Sequence, residues 1–90
     1  MIGAAGVVGL RGDMSSERFL IEGELSAPGF QRWLQGHARR IGIAAQIGHV
    51  DAGAVLVTVD GPPALLDAME MACLLGPIDV WVESVTREVA

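Results

Sequence analysis

The residues best placed to do chemistry sit together in Gly23-Glu24-Leu25-Ser26-Ala27-Pro28-Gly29-Phe30-Gln31-Arg32-Trp33. Ahead of them, Arg18-Phe19-Leu20-Ile21-Glu22 has strand character. Behind them, apolar positions fall at Phe30, Trp33, Leu34, His37, Ala38 and Ile41, a spacing of three and four that predicts a helix over 29–41. The segment is therefore a strand-to-helix connection. Its small residues leave backbone N–H groups accessible at a helix N-terminus, where the macrodipole favours an anion. The chemistry on offer is a cradle for a phosphate or carboxylate, built from Ser26, Ala27, Pro28, Gly29 and Phe30. Ser26 is expected to cap the helix, with Pro28 in its first turn.

Other reactive residue types do not assemble. His37 falls on the apolar face of the helix and reads as a core or boundary residue. With His49 and Cys73 it makes no set spaced for a metal, and no Ser/His/Asp or Cys/His arrangement is defensible. Glycines at 3, 6, 9 and 12 have neither the Lys-Ser/Thr of a P-loop nor the preceding strand of a dinucleotide fingerprint. Residues 1–16 read as a flexible extension, with a short strand through Val7 and Val8 as the alternative. Residues 17–90 read as the folded domain.

The elements that must position the cradle follow in order. A strand over 18–25 and the helix over 29–41 come first, the helix closed by Gly42 after Arg39 and Arg40. A strand over 43–50 follows, weakened by Ala44, Ala45 and Gly48. The short Asp51-Ala52-Gly53 turn joins it to a β-branched strand over 54–59, which makes a hairpin. Pro62 and Pro63 open a second helix, whose apolar face is Leu65, Leu66, Met69, Ala72 and Cys73, and Leu75-Gly76-Pro77 ends it. A last strand covers 79–85. This order, β-α-β-β-α-β, predicts an α+β domain of ferredoxin-like type: a four-stranded antiparallel sheet with two helices on one face.

Two stretches resemble a known family. Acylphosphatases carry Gly-x-Val-Gln-Gly-Val-Gly-Phe-Arg before their first helix, where this chain has Gly23 to Gln31 with Gly23, Gly29 and Phe30 kept. They carry Gly-Leu-x-Gly-Trp-Val-x-Asn and then a turn ending in Asp-Gly-Ser-Val, where this chain reads Gly42 to His49 and then Val50 to Val55. Gly76-Pro77 and the valines at 80, 82 and 85 extend the likeness, which spans about 17–87 without a gap. It implies the ferredoxin-like fold and hydrolysis of acyl phosphates without metal or cofactor. One arginine and the loop N–H groups would hold the phosphoryl group, and one asparagine would position water.

Here those two catalytic positions hold Gln31 and His49. Glutamine offers N–H donors but neither charge nor the rigid fork of arginine. Loss of one preorganised donor costs about 10²–10³-fold in rate, and Pro28 removes a further N–H. Arg32, one step along the helix, is expected to emerge on a different face. His49 has the chemistry to orient water or act as a base; a solvent-facing strand-end residue is the blander reading. The expectation is an acylphosphatase-like domain with little or no activity that binds a small anion or a protein partner. Active hydrolysis from a rearranged site is the alternative, and a self-associating module the second.

Composition narrows the rest. Ninety residues, 51% hydrophobic, suffice for one small core. Six arginines, no lysine and eleven carboxylates give a net charge of −5, which argues against nucleic acid as a partner. No apolar run reaches the length of a membrane span, and the N-terminus lacks a basic n-region. One cysteine fits a reducing compartment, and the chain is expected to be cytoplasmic. Trp81 on the last strand is placed to face solvent opposite the helices as a contact surface, with partial cover by the N-terminal tail as the equal alternative.

Overall fold

A computed structural model describes residues 14–90. Its strands are β1 (Ser15–Glu24), β2 (Ala44–Val50), β3 (Ala54–Gly61) and β4 (Trp81–Val89). Its helices are α1 (Phe30–Ile41), between β1 and β2, and α2 (Pro63–Leu75), between β3 and β4. The four strands form one antiparallel sheet in the order β2-β3-β1-β4. Both helices pack on one face, giving the expected ferredoxin-like β-α-β-β-α-β arrangement.

Alternation explains the layering. Phe19 and Ile21 of β1 and Val55, Val57 and Val59 of β3 point one way, into a core completed by Leu34 and Ala38 of α1 and Leu66, Met69 and Cys73 of α2. No described helix or strand covers the opposite face of the sheet. Trp81 lies there, paired with Glu24 and 69% exposed. Gly42 closes α1 in the left-handed region (φ 89°), its N–H donating to the carbonyls of Ala38 and Arg39.

Three boundaries differ from the sequence reading. Strand β1 begins at Ser15, where Ser15 and Ser16 pair with Gly61 and Asp60, so two residues assigned to the extension belong to the sheet. The possible strand through Val7 and Val8 lies outside the described residues. Strand β4 starts later and runs on to Val89, opposite Glu17. The alternation there is masked by an extra residue, Glu83, which sits between the Gly23–Val82 and Glu22–Ser84 pairs. Finally, Ser26 does not cap α1. Gly29 holds the cap position with φ 94°, no side chain caps the helix, and Pro28 lies in the turn ahead of it. A positive φ strains any residue with a Cβ, so glycine takes the cap position.

The extension of β4 brings Arg87 onto the helix side. Its guanidinium forks onto Glu17 (2.7 and 2.9 Å) and reaches Asp67 and Glu70 of α2 (2.8 Å each), over the ring of Phe19 at 5.2 Å. One side chain thereby ties β1, β4 and α2 together.

Candidate functional site

The end of β1, the start of α1 and the β2–β3 turn surround a pocket of about 570 Å³. Backbone bonds hold the walls together: Gly23 N–H donates to the Gly53 carbonyl (3.1 Å) and Leu25 N–H to that of Ala52 (2.8 Å). All five cradle residues, Ser26 to Phe30, line the pocket, with Gln31, Arg32, Val50 and Asp51. In the first turn of α1, Phe30 N–H donates to Ala27 (3.3 Å) and Trp33 N–H to Gly29 (2.8 Å). That leaves the N–H groups of Gln31 and Arg32 without a backbone acceptor among the described residues. A pocket with free amide donors and the positive end of a helix dipole suits an anion.

Arg32 is in this pocket beside Gln31, contrary to the expectation that it would point elsewhere. A rotation of about 100° per residue separates faces along a helix body. At the first turn every residue borders the helix mouth. Among the described residues Arg32 is also unpaired. The ion pairs made by arginine among the described residues are those of Arg18 with Glu88 and of Arg87 with its three carboxylates.

His49 does not line the pocket. Gly48 is an extra residue in β2, so Ile47 pairs with Val57 but His49 pairs with Leu56. Side-chain alternation therefore reverses at the bulge. Val50, opposite Val55, takes the pocket side, and His49 shares the sheet face opposite the helices with Leu56. Its Nε2 lies 2.9 Å from Oδ2 of Asp51, both side chains more than half exposed. Asp51 Oδ1 accepts the Gly53 N–H (2.8 Å). These bonds, the histidine first, hold the Asp51 carboxyl below its ordinary value, so a carboxylate stands on the turn side of the pocket at neutral pH.

His37 stacks on Trp33 (5.6 Å between ring centroids), which stacks on Phe30 (5.9 Å), so this histidine extends an aromatic ladder along α1. Cys73 is fully buried, and burial, then Glu70, pushes its thiol up to about 12, which leaves it unreactive. Among the described residues no three of His, Cys, Asp and Glu come together as metal ligands, and no helix is long and apolar enough to cross a membrane.

An acylphosphatase from Coxiella burnetii superposes with a TM-score of 0.79 at 14% identity, over 87% of this chain and 82% of that one. The fold is acylphosphatase-like. The acylphosphatase from Bacillus subtilis gives a TM-score of 0.75 at 21% identity, over 86% of this chain and 84% of that one. No family model matches this sequence, and no curated protein matches it. The β1–α1 loop of the acylphosphatase-like fold is the loop that lines the pocket here.

Proposed function

We propose that this acylphosphatase-like domain binds a small anion in the pocket at the mouth of α1, with little or no acyl phosphate hydrolysis. The observation that carries the reading is the chemistry of the lining. Gln31 is neutral where the family resemblance calls for arginine, and the one cation among the described residues there, Arg32, comes from the next position. Arg32 and the N–H groups of Gln31 and Arg32 supply binding. The imidazole of His49 is engaged with Asp51 on the other side of the bulge, and the Asp51 carboxyl, held below its ordinary value, is a weak base for water. The Asp51 carboxylate opposes a second negative charge on the ligand, so a monoanion fits better than a dianion.

Titration with inorganic phosphate, followed by amide shifts in NMR, tests this. Binding should perturb the amides of residues 26–32, and Arg32→Gln should weaken it by about tenfold to a hundredfold, the worth of one charge-assisted hydrogen bond. Phosphate that left these amides unmoved would remove the basis of the reading.

A further inference from the structure

Helix α2 is apolar on both sides. Its inward face, Leu66, Met69 and Cys73, is fully buried. Its outward face should then be polar, as that of α1 is with Gln31, Arg32, Gln35 and Arg39. Instead it presents Ala64, Ala68, Met71 and Leu75, all exposed, with Leu74 beside them and Ile78 beyond the helix end. Exposure reaches 63% at Met71, 79% at Leu75 and 101% at Ile78. An apolar stripe on the outward face of a helix is one that something covers.

We propose that a second copy of this chain covers it, through a two-fold antiparallel pairing of α2 with α2. Three features of the face favour that occupant. The spacing of Ala64, Ala68, Met71 and Leu75 is four, three, four, the seam of two helices packed at a shallow angle. The seam is also self-complementary. Small residues occupy its first half and bulky ones its second, so an antiparallel partner centred between Ala68 and Met71 sets Leu75 on Ala64 and Met71 on Ala68. Each alanine makes room for the large side chain opposite, which is what an isologous interface requires. Charge opposes the pairing only weakly, because the acidic side chain on this side, Asp67, shares Arg87 with Glu17 and Glu70, at 2.8 Å from its guanidinium. The exposed apolar side chains of two copies together offer on the order of 1000 Å², the lower bound of a specific interface.

Sedimentation velocity across a concentration series of the full chain tests the pairing. A monomer–dimer equilibrium is expected, and Met71→Glu should shift it to monomer with the circular dichroism spectrum and melting curve kept, since Met71 does not touch the core. Register is tested by oxidation of an Ala64→Cys/Leu75→Cys variant, with Cys73 buried and unreactive. The double variant should crosslink into dimers. Ala64→Cys alone should not, because an antiparallel pair holds the two 64 positions about 16 Å apart along the axis. A wild type that stays monomeric at every concentration overturns the proposal. So does a dimer indifferent to Met71→Glu, or a crosslink formed by Ala64→Cys alone.

Discussion

At the residue scale, the site turns on where charge stands. Gln31 and Arg32 are neighbours, and both line the pocket because they belong to the first turn of α1. Replacing Gln31 with arginine adds a second cation with a bidentate fork, and should tighten phosphate binding by about tenfold to a hundredfold in a calorimetric titration. The identity of the loop residues was legible in the sequence, since Gly23, Gly29 and Phe30 mark the strand-to-helix turn. The direction of His49 was not. One inserted residue at Gly48 moves every later side chain to the other face, and the lone glycine inside Gln46-Ile47-Gly48-His49, a common mark of a bulge, was the one signal for it. Gly29 carries a further prediction. Its φ of 94° is costly for a residue with a Cβ although space is open around it, so Gly29→Ala should lose about 1 kcal/mol in urea denaturation.

At the scale of elements, Arg87 and Gly23 hold β4 in place. Arg87 is 22% exposed in its side chain and meets three carboxylates from two other elements. Arg87→Ala leaves Glu17 and Glu70 half-buried without a counter-charge and should cost about 2 kcal/mol, read from the urea midpoint. Gly23 is tighter: a Cβ there would meet the Trp81 carbonyl oxygen at 2.1 Å. Gly23→Ala should therefore disturb the β1–β4 pairing and destabilise by about 3 kcal/mol or more. The periods of α1 and β3 were clear from the sequence because one face of each is buried. The end of β4 was not, because Thr86-Arg87-Glu88 looks like a solvated tail until Arg87 is seen to find its partners across the sheet and on α2.

At the scale of the whole molecule, acid sensitivity and chemistry can both be foreseen. The Arg87 hydrogen bond holds Glu17 below its ordinary value of 4.5, and the His49 and Gly53 bonds hold Asp51 below 3.8. Both carboxyls bind protons less readily folded than unfolded. Their stabilisation is thus complete above those ordinary values and lost as pH falls through the lower folded ones. Urea midpoints should be level near neutrality and drop below about pH 4.5, and Glu17→Gln should flatten that drop. The fold as a whole was legible because six elements and their turns agree on one topology; activity was not, because fold alone does not carry it. The most direct test is the hydrolysis of benzoyl phosphate by the purified wild-type chain beside Arg32→Gln. An inactive site predicts that the two give the same rate, indistinguishable from that of buffer alone. Turnover by the wild type that is lost in Arg32→Gln would contradict it and make this pocket a working active site.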